Sequence, residues 1–410
     1  MMNSKILKSA IQISLLFFIF AIVIGCIFNE QAKDSLPFID VSKNYPEKEI
    51  ILTDIADVSY VHLNSENDDF LYKGRINYMT DNTIVVFDNS SGSILFFTKE
   101  GNPKSRFNRY GAGPEEYGMR PLIFYDETKD EVYVVNNSVN YIQIYSSIGE
   151  YKRKLTLPHQ TNLIYDIVFF DEESLLIYED SKRMRNMQIQ FAKKLRGEAS
   201  DFIHDEIDSS LFLISKHDGK VLEYLELHRN QKENLAYEIE GRMIGMPTAT
   251  RIAKFSEGFF LCHPESDTIF LYRKDKSLTP VIHKRPLISK LNPKVYLDNC
   301  MEAGNYQFMK TETLIFQKEK PHNRKYYLRD KKTGEVFLQK IILPDYKGER
   351  SFFIYPVTKC ANEKDYFCVL DLFELKQAYN ANKLGGKLKE LVATLNELED
   401  NEVYILVRFK

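Results

Sequence analysis

The sequence predicts an all-β protein: a six-bladed β-propeller with a short C-terminal helical insertion. Three observations carry that expectation. First, a block of residues returns at a constant offset of 48: Ile84, Val86, Asp88, Ile94, Phe96 and Gly101 recur as Val132, Val134, Asn136, Ile142, Ile144 and Gly149. A constant offset across two strands and two turns marks a repeat rather than chance strand composition. Second, Ile84-Val85-Val86-Phe87 and Gly258-Phe259-Phe260-Leu261 are apolar on both faces. Such strands are covered on both sides, as when a blade packs between two neighbours. Third, the 410 residues include 25 Tyr and 28 Phe without Trp, and aromatic side chains favour strands.

The unit reads as an inner strand, a polar turn, a second strand, a glycine turn and an outer strand. Weaker copies follow. Leu175–Tyr178 pairs with Leu211–Ser215 and the Asp218-Gly219 turn, and Phe259–Cys262 with Thr268–Tyr272. Leu314–Phe316 pairs with Lys325–Arg329 and the Thr333-Gly334 turn, and Tyr366–Leu370 opens the last copy. These make about six units of roughly 40–55 residues, the size of four-stranded blades. The strand near Val58 is expected to complete the blade containing Phe409 and so close the ring. A β-sandwich, or two smaller β-domains, is the competing architecture.

The N-terminus reads as an export signal. Lys5 and Lys8 precede an apolar run, Ile11–Ile24, that is too short to span a bilayer, which takes about 20 residues. Val23-Ile24-Gly25-Cys26 resembles the bacterial lipobox, which implies Cys26 as the site of lipid attachment. Several acyl chains anchor stably where one is marginal. The expected divisions are a lipoprotein signal peptide at 1–25, a polar tether at 26–46 and the propeller at 47–410. Two departures interrupt the repeat. Glu179–Asp208 is a charged insertion. Leu372–Glu399 is helical in pattern, with Leu388, Leu391, Val392, Leu395 and Leu398 on one face. That single apolar stripe is expected to dock on the propeller.

Phe107–Tyr117 includes the glycine-rich run Arg109-Tyr110-Gly111-Ala112-Gly113-Pro114-Glu115-Glu116-Tyr117. It resembles the G-x-G-P-G-E-Y signature of the six-bladed β-propeller lipoproteins of Bacteroidetes, relatives of the NHL-repeat propellers. The ending Leu388–Phe409 and the opening Ile51–Leu63 are similar to that family as well. Glu115 stands where the family usually has glycine after the proline, and Asn108 where glycine is common. The resemblance implies an outer-membrane lipoprotein, on the periplasmic or cell-surface side, of largely unassigned activity.

Two roles suit the loop. In one, its glycines and Pro114 build a tight turn, Glu116 accepts backbone hydrogen bonds and Tyr117 packs. In the other, Arg109, Tyr110, Glu116 and Tyr117 form a binding loop at the channel mouth. No GK[ST] follows, so a phosphate loop is not indicated. The eight His show neither HExxH nor HxH, and no GxSxG occurs, so no metal, cofactor or catalytic residue is assigned. Asp88–Gly92 reads as a hairpin turn rather than a calcium loop, since it lacks the distal Glu. Cys262, Cys300, Cys360 and Cys368 sit among apolar neighbours and read as buried thiols. A net charge of −3 argues against nucleic acid, and the basic stretch Lys318–Lys332 reads as a solvated ribbon. The expected function is a lipid-anchored, monomeric binding or scaffold module for a glycan, peptide or protein. A lactonase- or lyase-like enzyme, with Asp88, Asn136 and His263 near the channel, is the alternative.

Overall fold

The computed structural model of the protein describes residues 36–410 apart from 66–68, 137–140, 158–163, 180–192, 194–210, 228–236, 240–241, 245–250, 264–265, 315–321, 348–351, 356–358 and 397–398. Cys26, the apolar run before it and nearly all of the insertion expected at 179–208 lie outside the described residues.

The chain begins with β1 (Phe38–Asp40), β2 (Glu47–Ile51), the short helix α1 (Leu52–Ile55) and β3 (Ala56–His62). The first blade is β4 (Ile76–Met79), β5 (Thr83–Phe87), β6 (Ile94–Thr98) and β7 (Pro103–Phe107). The second is β8 (Leu122–Asp126), β9 (Glu131–Val135), β10 (Tyr141–Tyr145) and β11 (Tyr151–Thr156). The third is β12 (Ile164–Phe169), β13 (Ser174–Glu179), β14 (Leu211–Ser215) and β15 (Val221–Leu225). A separate hairpin, β16 (Tyr237–Ile239) and β17 (Arg242–Ile244), lies in the connection that follows. The fourth blade is β18 (Ile252–Phe255), β19 (Gly258–Cys262), β20 (Thr268–Arg273) and β21 (Leu278–Arg285). The fifth is β22 (Val295–Ala303), β23 (Tyr306–Leu314), β24 (His322–Asp330) and β25 (Val336–Ile342). The sixth joins β26 (Asp365–Leu370), β27 (Val403–Phe409) and β3. Six blades make a β-propeller.

The two ends of the chain meet in the sixth blade. β3 pairs antiparallel with β27, Val58 opposite Val407 and Tyr60 opposite Ile405. β27 buries Val403, Tyr404, Ile405, Leu406, Val407 and Phe409. Full burial of such side chains is worth about 1.5–3 kcal/mol each. This is the ring closure the sequence predicts. The repeat also returns in register: Val86 faces Leu95 in the first blade, and Val134 faces Gln143 in the second.

β5 and β19 are buried along their whole length, whereas β7 and β15 alternate with solvent. That gradient places the last strand of each blade outermost. Three expectations are corrected. The strand of Ile84 is the second of its blade, because β4 lies inside it; β4 touches β8 of the next blade. In the fifth blade Lys325 pairs with Thr311 and Arg329 with Gln307, so Lys325–Arg329 does not face Leu314–Phe316. Phe38–Asp40, within the expected tether, is β1: it pairs parallel with β21, as β2 does with β25, so both add a fifth outer strand.

The helical insertion is two helices, α2 (Leu372–Asn380) and α3 (Gly386–Thr394), between β26 and β27. Asp371 caps α2 by accepting from Glu374 N–H at 2.9 Å. Leu375, Leu388 and Val392 are buried in one cluster with Val403, Ile405 and Phe409, so the apolar stripe docks on the closing blade. The helix ends at Thr394, before Leu398, because Leu395 is already extended.

The repeated glycine has a geometric reason. Gly101 and Gly149 hold φ of +93° and +86°, in the left-handed region. A Cβ on Gly101 would lie 2.0 Å from His62 O, and one on Gly149 would lie 2.6 Å from Phe107 Cβ. Each therefore turns tightly against the outer strand of the preceding blade.

Candidate functional site

Strand direction alternates within a blade. The turns from second to third strand, and the connections back to each innermost strand, therefore open on one face of the ring. That face carries Asp88–Ser93, the loop Asn108–Pro121, and the helices α2 and α3. Asn108 ties two of these together, donating from Nδ2 to Ser91 O at 2.9 Å.

The glycine-rich loop is held largely by itself. Arg109 and Tyr117 exchange backbone contacts, with Tyr117 N–H donating to Arg109 O at 2.9 Å and Gly111 N–H to Tyr117 O at 3.0 Å. Arg109 Nε donates to Gly149 O at 3.1 Å, in the next blade. The Glu116 carboxylate accepts from Gly113 N–H at 2.8 Å. A Cβ on Gly111 would strike that carboxylate at 1.9 Å, so the carboxylate fits only because the residue is glycine. Tyr117 is fully buried and packs edge-on to Phe107 and Tyr145. Burial first, against the weaker pull of the Arg109 backbone and cation, pushes its phenol up to about 12. Tyr110 presents its ring to solvent, at 46 % exposure, and Arg109 is exposed as well.

Asp88, Asn136 and His263 are the residues expected near the channel. They follow β5, β9 and β19, the second strands of three different blades, on the same face. Asp88 is a turn residue. It accepts from Lys73 N–H at 2.8 Å, Ser90 N–H at 3.0 Å and Ser91 N–H at 3.0 Å, and from both serine hydroxyls. Burial alone would raise its carboxyl. The bonds from Ser91, Lys73 and Ser90 outweigh that and bring it to about 2. His263 is buried against Tyr178. Among the described residues no three His, Cys, Asp or Glu stand close enough together to hold a metal ion. Burial raises the Cys262 and Cys360 thiols to about 12, so neither is a ready nucleophile.

A cavity of roughly 360 Å³ opens between the sixth blade and the first two. Arg75 and Asn77 come from the start of β4, and Asn89 from the turn after β5. Arg120 and Pro121 come from the approach to β8, and Lys359 from the connection ahead of β26. Arg75, Arg120 and Lys359 are exposed, and no Asp or Glu lines the cavity. Asn77 Oδ1 accepts from Phe87 N–H at 2.8 Å, which fixes the amide. Elsewhere Lys310 of β23 meets Asp298 of β22 at 2.7 Å, and Asp166 accepts from the backbone N–H of Arg251 and of Ile252. The sequence reading missed this cavity, because its residues come from three separated stretches. One signal was available: a cation directly ahead of an inner strand.

Fold and site together define a ring-closed propeller with a polar mouth. The chain belongs to the family described as Domain of unknown function (DUF4934), whose sequence profile matches residues 36–408. No curated protein matches it. Among solved structures it resembles a protein of Bacteroides fragilis NCTC 9343 whose name describes it as exported. The TM-score is 0.59 at 16 % identity, covering 91 % of this chain and 99 % of that one. A member of the duf4221 family from Bacteroides vulgatus atcc 8482 follows at TM-score 0.44 and 11 % identity, over 87 % and 97 % of the two chains. A streptogramin B lyase gives 0.34 at 10 %, over 72 % and 76 %. At these identities the likeness concerns fold alone. No helix among the described residues is long and apolar enough to cross a membrane.

Proposed function

We propose that the protein is an exported propeller, anchored through lipid on Cys26, that binds a glycan, peptide or protein partner at its loop-bearing face. The cavity beside the axis carries this reading. Its volume, roughly 360 Å³, is in the range of small-ligand sites, and it opens where the long connections gather. Rigid scaffolds commonly place recognition on such loops. In the glycine-rich loop Tyr110 contacts the ligand, while Arg109, Glu116 and Tyr117 hold the loop in shape. The N-terminal pattern of Lys5, Lys8, Ile11–Ile24 and Gly25-Cys26 supports export and lipidation. The exported name of the Bacteroides fragilis protein supports export too. The outer membrane, on its periplasmic or cell-surface side, is the proposed location.

The test is a screen of the full mature protein against arrays of glycans and peptides. Saturable binding that Arg120→Gln weakens is expected. Turnover of a substrate without stable binding would replace this reading with an enzymatic one. Mass spectrometry of the native N-terminus checks the anchor: acylated Cys26 is expected, and an intact Met1 with unmodified Cys26 removes it.

A further inference from the structure

Four of the innermost strands have a cation just ahead of them. Arg75 directly precedes β4, Arg251 precedes β18 and Lys294 precedes β22; Arg120 stands two residues ahead of β8. Lys359 adds another from the connection ahead of β26. It lies next to Cys360, which bridges Met79 of β4, and its Nζ reaches Ile76 O at 3.5 Å. Of these, Arg75, Arg120 and Lys359 line one open cavity, in a chain whose net charge is −3.

These cations differ in what occupies them. Arg251 is 1 % exposed, with the Asp166 and Asp298 carboxylates acting on it. Arg75, Arg120 and Lys359 line the open cavity instead. Among the described residues Arg75 and Arg120 make no ion pair. Glu402, whose charge reaches Arg75, is engaged by Leu372 N–H at 2.7 Å. The protein around Lys359, and next the Arg75 cation, hold its ammonium below the usual lysine range, while Asp166 acts in the opposite direction. Arg120 holds φ of +51°, a strained setting for a residue with a side chain. Such strain persists where the surroundings fix it, and it gathers at ligand sites. Like charges brought together cost free energy, and a bound anion offsets that cost.

We propose that this cavity holds the acid group of a small acidic sugar, with Arg75, Arg120 and Lys359 as its anchors. The proposal rests on the binding-module reading and names the ligand class of that site. Two guanidinium forks suit the two oxygens of a carboxylate, and an ammonium adds a point charge. Asn77 and Asn89 add amide groups, which match the paired donor and acceptor of sugar hydroxyls. Pro121 gives the wall an apolar face.

The experiment is calorimetric titration of the detergent-solubilised mature protein with D-glucuronate, D-glucose and inorganic sulfate. Arg75→Gln, Arg120→Gln and Lys359→Gln are titrated alongside. All three positions are exposed, and unchanged thermal midpoints confirm that each variant folds. The expected result is saturable glucuronate binding, absent with glucose, weakened by salt and weakened about tenfold by each substitution, as the loss of one charge-assisted bond implies. Sulfate binding as tightly as glucuronate, with the same loss in the variants, overturns the sugar and keeps the anion anchor. Failure of both anions to bind, or binding that the three variants leave unchanged, overturns the proposal. A neutral glycan or peptide held equally by wild type and variants overturns the acidic class while the binding-module reading stands.

Discussion

The Tyr117 hydroxyl donates to the Gly92 carbonyl at 2.9 Å and accepts from Arg109 N–H at 3.2 Å. One side chain thus joins the second turn of the first blade to the connection that leaves it. The residue ends a glycine-rich run that looks like a ligand loop, yet its ring is wholly inside the protein. Tyr145 completes the arrangement from the second blade, donating its hydroxyl to Glu115 O at 2.9 Å.

Removing this hydroxyl separates bonding from packing. Tyr117→Phe is expected to cost about 1–2 kcal/mol, the worth of two hydrogen bonds to a buried phenol. Tyr117→Ala also empties the pocket against Phe107 and should cost about 3–5 kcal/mol. Denaturant unfolding measures both. Equal losses would show that the hydroxyl carries the whole effect.

The Gly101 contact tests how tightly the first blade meets β3. Gly101→Ala must strain a positive φ and displace His62 O, so a loss of about 2–4 kcal/mol is expected. Gly304 is the control: its φ is +56°, but nothing lies within 4 Å of a Cβ there. Gly304→Ala should therefore cost only about 1 kcal/mol. Similar costs at both sites would mean that backbone strain alone explains Gly101.

Asp88 gives the protein an acid-sensitive turn. Its carboxyl titrates near 2 in the folded protein and near 3.8 when free. A lowered folded value means that the contribution is complete above the free value and is lost as pH falls toward 2. It amounts to roughly 1–2 kcal/mol. Asp88→Asn should flatten the stability curve between those two pH values and lower stability at pH 7. An unchanged acid slope in the variant would place the titration elsewhere.

The second and third strands of the first two blades were legible because neighbouring blades cover both of their faces. Val85, Val86, Val134 and Val135 are therefore all apolar, and the 48-residue offset survives in them. The innermost strands were not legible for the opposite reason. Asn77, Asp166 and Asp298 lie on strands at the axis, so the apolar pattern breaks there. β1 and β2 escaped because short parallel strands on an outer edge need little apolar sequence. The fifth blade misled because Lys310, Glu312 and Lys325 interrupt its strands and hide their register. In the glycine-rich loop the turn chemistry of Gly113, Glu116 and Tyr117 was readable. The mouth was not, since folding alone brings Arg75, Arg120 and Lys359 to one cavity.

Everything functional depends on the ring being closed by β3 against β27. Cysteine pairs at Val58 with Val407, and at Ser59 with Leu406, test this directly, since each pair is directly opposed across the two strands. Opposed residues of antiparallel strands lie about 4.5–5.5 Å apart at Cα, within disulfide reach. Under mild oxidation of the native protein, at least one pair should cross-link quantitatively and raise the thermal midpoint. If neither pair forms a disulfide until the protein is unfolded, the chain ends do not meet and the closed propeller is contradicted.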